Sequence, residues 1–68
     1  MNKIIENPLI SVLLSVYNDD KNIQKSIDSI LSQSYKNIEL LVIDDCSTDN
    51  TYKIINEIKD IRVRIFRN

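Results

Sequence analysis

Apolar residues along the chain fall into five segments that alternate between strand-like and helix-like spacing. The run "LISVLLSV", residues 9–16, is apolar on both faces and rich in branched side chains, which is typical of a central strand in a parallel sheet. The run "IELLVI", residues 38–43, predicts a second buried strand. The run "IRVRIF", residues 61–66, alternates aliphatic residues with arginines, which predicts a third strand with one wetter face.

Between the strands, apolar residues recur at helical spacing. A helix is predicted over residues 20–33, with Asn18 or Asp19 as its N-cap and with a stripe made by Ile23, Ile27, Ile30 and Leu31. A second helix has cap candidates at residues 47–51 and a shorter stripe made by Ile54, Ile55 and Ile58. The chain therefore reads β-α-β-α-β.

This order of elements implies a three-stranded parallel sheet with right-handed crossovers, which is an α/β fold. Two strand orders fit the residues. In the order 3-2-1 both helices lie on one face, and the other aliphatic face stays bare, so the chain would be the opening half of a larger domain. In the order 2-1-3 each face carries one helix.

Composition removes several classes of function. With 68 residues the chain is long enough for one small domain. Nine basic residues nearly cancel ten acidic ones, so we expect no nucleic-acid partner. One cysteine and no histidine exclude an intrachain disulfide and a Cys/His zinc site, and the absence of glycine excludes a dinucleotide-binding turn and a P-loop. Without a signal-peptide pattern or a long apolar run, a cytoplasmic location is expected.

Polar side chains follow the first two predicted strands at the points where those strands end. Ser15, Tyr17 and Asn18 come at the end of the first strand, and Asp44 and Asp45 end the second. Ligands of open parallel sheets bind beyond the carboxyl ends of the strands, where these two groups would be neighbours. Taken alone, the acidic pair fits a strand end with a helix cap as well as it fits a ligand site.

The two acids are not expected to share a proton, because consecutive strand residues point to opposite faces. An ionised aspartate only accepts hydrogen bonds, so the one facing the crevice suits a ring N–H or a sugar hydroxyl. Tyr17 offers a flat face for a base. Arg62, Arg64 and Arg67 are expected to form a solvated strand face.

Three segments, "PLISVLLSVYN", "SIDSILSQSYKNIELLVIDDCSTDNT" and "RVRIFRN", together resemble the N-terminal part of family 2 glycosyltransferases, which have the GT-A fold. The resemblance covers residues 8–68 and implies strand order 3-2-1 in the first half of a Rossmann-like nucleotide-binding domain. Residues 1–7 are expected to be a flexible lead-in. The implied reaction transfers a sugar from a nucleotide-sugar, usually a UDP-sugar, to a hydroxyl of a glycan or lipid-linked acceptor in polysaccharide or cell-surface glycan synthesis.

The resemblance also implies a role for each candidate residue. Tyr17 would stack on or flank the base, and Asp45 would accept the uracil N3–H. Ser15 and Asn18 would line the nucleotide pocket, with Asp44 in a supporting role.

The family pattern is incomplete in this sequence. Cys46 stands where the family often has glycine or asparagine. The family's D-x-D motif, which holds Mg²⁺ or Mn²⁺ against the diphosphate, would follow a further strand, as would the catalytic base. We therefore expect residues 8–68 to be a partial domain, truncated before the D-x-D motif, without catalytic or metal-binding residues and inactive alone. Its parent enzyme would be cytoplasmic or peripheral to the inner face of the membrane.

Two other interpretations fit part of the pattern. A receiver-like signalling module also places acids at strand ends and has strand order 2-1-3, but its acid pair follows the first strand rather than the second. A non-catalytic fragment could instead self-associate through an uncovered sheet face.

Overall fold

A computed structural model describes residues 8–68, so the predicted lead-in at residues 1–7 lies outside the described residues. The elements follow the predicted order: β1 (Ile10–Val16), α1 (Ile23–Leu31), β2 (Ile38–Asp44), α2 (Thr51–Asn56) and β3 (Val63–Arg67). The strands are parallel and lie in the order β1-β2-β3. This is the 3-2-1 order seen from the opposite edge, so the predicted fold class is confirmed and the 2-1-3 order is wrong.

The core lies on one face of the sheet. In β2 the residues alternate strictly between buried and half-buried, with Leu40 and Val42 fully buried. Both helices pack on this face, because right-handed crossovers that step in the same direction place them together. The core cluster joins both helices to the sheet through Val16, Ile23, Ile27, Leu40, Val42 and Ile55.

The opposite face of the sheet carries no helix within residues 8–68. Leu13 of β1 is 67% exposed and Phe66 of β3 is 50% exposed, while Leu41 and Ile43 between them are half-buried. This face, made by Leu13, Leu41, Ile43 and Phe66, is called the uncovered face below. It is the bare aliphatic face expected of the 3-2-1 order.

The first helix starts later than predicted. α1 begins at Ile23 with Asn22 as its N-cap, and no side chain caps it. The Asp19 carbonyl accepts from the N–H groups of Asn22 and Ile23 at 3.1 and 2.9 Å, so a turn precedes the helix. The prediction of Asn18 or Asp19 as the N-cap was wrong, because Asn18 Oδ1 accepts from the loop after β2 and Asp19 Oδ1 accepts from Asn22 Nδ2 at 3.3 Å.

The third strand also starts later, at Val63. Ile61 was predicted to lie on the same apolar side of this strand as Val63 and Ile65, but it is 100% exposed. Arg62 lies before the strand, where it forms an ion pair with Asp60 at 2.9 Å and donates a hydrogen bond to the Leu31 carbonyl at 3.4 Å. Hydrogen bonds from Arg62 lower the pKa of the Asp60 carboxyl to about 2.

Within residues 8–68, neither helix has the length and apolar character that crossing a bilayer requires.

Candidate functional site

The carboxyl ends of β1 and β2 lie side by side. Their register pairs Val16 with Asp44, and the Asp45 N–H donates to the Val16 carbonyl at 2.9 Å. Tyr17 and Asp45 are therefore the first residues beyond the paired ends of two neighbouring strands. Both are exposed, and the Tyr17 residue is 60% accessible. The structure thus brings these two candidates to one edge, which we call the carboxyl edge.

Ser15 lies on the uncovered face of the sheet, close to the carboxyl edge. It pairs in register with Ile43 and alternates with Leu14 and Val16, which face the core. Ser15 is exposed, so its hydroxyl lies on the side that the helices leave open, next to the carboxyl edge.

Asn18 reaches the carboxyl edge but uses its polar groups within the protein. Its Oδ1 accepts from the N–H groups of Thr48 and Asp49 at 2.8 and 3.4 Å. Its own N–H donates to Ser47 Oγ at 2.9 Å. Its φ of 46° lies in the left-handed region, which asparagine tolerates better than most residues. These contacts give Asn18 the role of holding the loop after β2.

The two adjacent acids are separated, as strand alternation predicts. Asp44 is 0% exposed and lies on the core face of the sheet, whereas Asp45 is exposed. Asp44 Oδ2 lies 3.4 Å from Arg67 Nε and accepts from the Ser47 N–H at 3.4 Å. Its Oδ1 has no hydrogen-bond partner among the described residues. Asp44 is therefore closed off from solvent, and its contacts support the loop rather than open a binding surface.

Arg67 was placed wrongly on a solvated strand face by the sequence prediction. Its guanidinium pairs with buried Asp44 and stacks over the Tyr52 ring, 4.0 Å from the ring centroid. A signal was present in the sequence, because Val63, Ile65 and Arg67 share one strand face. A buried carboxylate needs such a counter-charge, so Arg67 neutralises the charge of Asp44 below the carboxyl edge.

Asn68 is a site residue that sequence reasoning missed. Its Nδ2 donates to Asp45 Oδ1 at 3.3 Å, and its N–H donates to the Asp44 carbonyl at 2.9 Å. Its carbonyl accepts the Cys46 S–H at 3.3 Å. Cys46 is exposed and has a φ of 62°, a conformation that favours glycine. No local pattern could reveal these contacts, because they join residues 22 or more positions apart.

Reciprocal hydrogen bonds join the loop after β1 to the loop after β2. The Asp20 N–H donates to Asp49 Oδ2 at 3.3 Å, and the Asn50 N–H donates to Asp20 Oδ2 at 3.3 Å. Thr51 Oγ1 accepts the Asp19 N–H at 2.7 Å, while the Thr51 N–H donates to Asp49 Oδ1 at 2.9 Å. Partial desolvation would raise the pKa of Asp49, but hydrogen bonds from Thr51 and from the Asp20 N–H together outweigh it and lower that pKa. The loops therefore support each other beneath the carboxyl edge.

The described residues do not fit a divalent metal. Within residues 8–68 there is no group of three or more His, Cys, Asp or Glu side chains that could hold one. Asp44 and Asp45 do not combine as ligands, because Asp44 is buried against Arg67 while Asp45 faces solvent.

The family model described as "Glycosyl transferase family 2" matches residues 11–68. The chain belongs to this family. Among similar proteins, the "UDP-Glc:alpha-D-GlcNAc-diphosphoundecaprenol beta-1,3-glucosyltransferase WfaP" of Escherichia coli is 47% identical over 60 residues, which are 88% of this chain and 24% of that protein. An uncharacterized glycosyltransferase of Haemophilus influenzae is 52% identical over 61 residues, 87% of this chain and 24% of the relative.

A third relative carries a name of the same form. The "UDP-Glc:alpha-D-GlcNAc-diphosphoundecaprenol beta-1,3-glucosyltransferase WfgD" of Escherichia coli is 41% identical over 64 residues, 94% of this chain and 25% of that protein. The chain thus spans about a quarter of the length of these relatives. The resemblance to family 2 glycosyltransferases seen in the sequence is confirmed.

Proposed function

We propose that residues 8–68 form the base and ribose half of a nucleotide-sugar site in a glycosyltransferase. The complete enzyme would transfer a sugar from a UDP-sugar to a hydroxyl of a glycan or lipid-linked acceptor. The observation that carries this proposal is that exposed Tyr17 and exposed Asp45 directly follow the paired ends of β1 and β2, at the carboxyl edge of a family 2 glycosyltransferase sheet.

The chemistry of this edge suits uracil. An ionised aspartate only accepts hydrogen bonds, and the uracil N3–H is a donor, so Asp45 would bind that atom. The Tyr17 ring offers an apolar face on which the base can stack. The Ser15 hydroxyl would line the pocket beside them. Asn18 would hold the loop after β2, and Asp44 would support the pocket from the core side of the sheet. The support for this division is that Asn18 Oδ1 already accepts from the N–H groups of Thr48 and Asp49. Asp44 is fully buried, with its Oδ2 against Ser47 and Arg67.

The names of two relatives support the donor and acceptor class. WfaP and WfgD are named as glucosyltransferases that use UDP-Glc and a diphosphoundecaprenol-linked acceptor. We propose the same classes for the protein that contains this chain, in cell-surface or polysaccharide synthesis at the inner face of the membrane. The ligands of Mg²⁺ or Mn²⁺, and the catalytic base, would be residues other than those of this chain.

Titration with nucleotides tests the pocket. We expect UDP and UMP to bind the chain with similar affinity, because the described residues form no diphosphate site, and CDP to bind more weakly. Asp45→Ala should weaken UDP binding about 10- to 150-fold, the cost of losing a hydrogen bond to a charged group. Asp28→Ala, the same substitution at an exposed position of α1, is the control. UDP binding that is unaffected by Asp45→Ala would contradict the proposal.

A second candidate function is self-association of the chain. The observation that favours it is the exposure of Leu13 and Phe66 on the uncovered face, because these two residues and the half-buried Leu41 and Ile43 between them form one apolar surface, which favours association. The receiver-like alternative loses its support, because the strand order is β1-β2-β3 and the acid pair ends β2.

A further inference from the structure

Asn68 contacts the carboxylate that the proposed pocket uses to recognise a base. Its side-chain amide donates to Asp45 Oδ1 at 3.3 Å. Asn68 is itself fixed, since its N–H is bonded to the Asp44 carbonyl at 2.9 Å and its own carbonyl accepts the Cys46 S–H at 3.3 Å. We infer that Asn68 is a positioning residue, which holds the Asp45 carboxylate in the orientation that distinguishes uracil from cytosine. This inference rests on the proposed function.

Asp45 needs a partner of this kind. Its side chain is exposed, and Asn68 is the one residue among residues 8–68 that donates to its carboxylate. An exposed carboxylate without a partner samples several rotamers, and ordering it on binding costs free energy. With Oδ1 held by the Asn68 amide, Oδ2 is left to accept from the ligand.

The orientation matters most for discrimination between bases. The uracil N3–H donates to a carboxylate, whereas cytosine N3 carries a lone pair that a fixed carboxylate repels. A carboxylate released from Asn68 can rotate away from cytosine and tolerate it. Loss of the Asn68 amide should therefore change the ratio of UDP to CDP affinity. A general loosening of the fold would instead weaken both nucleotides together.

A charged variant gives a second, independent readout. Asn68→Asp places a carboxyl group against Asp45 Oδ1, and two carboxylates at such a distance repel when both are ionised. At low pH the new carboxyl is protonated and can donate in place of the amide. As the pH rises it ionises, and it then displaces the Asp45 carboxylate. UDP affinity of this variant should fall with rising pH relative to the unsubstituted chain.

The experiment titrates the full chain and its variants with UDP and with CDP by calorimetry, from about pH 3.5 to about pH 8, a range that includes the ordinary aspartate pKa of about 3.9. Asn56→Asp is the matched control, because it adds the same charge at an exposed position at the far end of α2. A C-terminal amide on every variant keeps the charge of the terminal carboxylate from adding to that of the new side chain. Circular dichroism verifies that each variant is folded.

We expect Asn68→Ala to lower the UDP-to-CDP affinity ratio about three- to tenfold, less than the effect of Asp45→Ala, because Asn68 acts through Asp45 and does not touch the base. Asn68→Asp should show the pH-dependent loss, and Asn56→Asp should not. If UDP binds and Asp45→Ala weakens that binding as expected, but neither Asn68 variant changes the ratio or its pH dependence, the inference is overturned and the proposed function stands. If the unsubstituted chain fails to bind UDP, the proposed function falls and the inference falls with it.

Discussion

Replacing Arg67 with methionine removes the cation that faces a fully buried carboxylate. Asp44 is 0% exposed, its Oδ2 lies 3.4 Å from Arg67 Nε, and its Oδ1 has no partner among the described residues. Removing one partner of a buried ion pair costs about 3–5 kcal/mol, because the remaining charge is left without compensation. The guanidinium also stacks on Tyr52 at 4.0 Å, which contributes about 0.5–1 kcal/mol at a partly exposed site.

Two features of the geometry reduce this figure. The Arg67 side chain is 48% exposed, so water screens part of its charge, and the 3.4 Å contact is long for a charge-assisted bond. We therefore expect Arg67→Met to lower the free energy of unfolding by about 2–3 kcal/mol. A domain of this size has only about 3–5 kcal/mol from its core, so this loss would leave the chain close to its folding limit.

Urea titration followed by circular dichroism measures this change, and a double-mutant cycle assigns it. Asp44→Asn removes the charge while keeping the shape, so Arg67→Met should cost much less in that background. We expect a coupling energy of about 1–2 kcal/mol between the two positions. Arg64→Met is the control, because Arg64 is an exposed arginine of the same strand on the opposite face. A coupling energy near zero, or equal losses for the two arginine variants, would refute the assignment of Arg67 as the counter-charge.

Three further outcomes follow from other contacts. Cys46→Gly should stabilise the chain by up to about 1 kcal/mol in thermal melts, because its φ of 62° lies in the left-handed region that glycine adopts without steric cost. Asn18→Gly should instead destabilise the chain by about 1–2 kcal/mol, because the hydrogen bonds of Asn18 Oδ1 to the loop after β2 are lost. Equal effects at both positions would contradict this explanation. The pKa of Asp60 is lowered from 3.8 to about 2 by Arg62, so its stabilising contribution is present above pH 4 or so and is lost as the pH falls towards about 2. Screening keeps that contribution below about 1 kcal/mol, and acid titration of Asp60→Asn should lack the corresponding step. Leu13→Lys should reduce self-association in size-exclusion runs at rising concentration, and an unchanged elution profile of an associating chain would exclude the uncovered face as the interface.

Local periodicity was enough to predict the elements of this protein. Period-two and helical spacing of apolar residues predicted three strands and two helices in the observed order, because these patterns follow from backbone geometry alone. The same local geometry separated Asp44 from Asp45, since consecutive strand residues point to opposite faces. The motif resemblance then selected the strand order that the residues had left open.

The roles of individual side chains at the carboxyl edge were decided by tertiary structure. Asn18 was predicted to cap α1, but the loop after β2 lies close enough to use its oxygen. Arg67 was assigned to solvent, although β3 pairs with β2 and brings it to Asp44. Asn68 had no signal at all, because its contacts with Cys46 and Asp45 exist only once β2 and β3 are paired. A hydrogen bond between residues distant in sequence depends on the packing of both strands, and no local pattern of the chain encodes it.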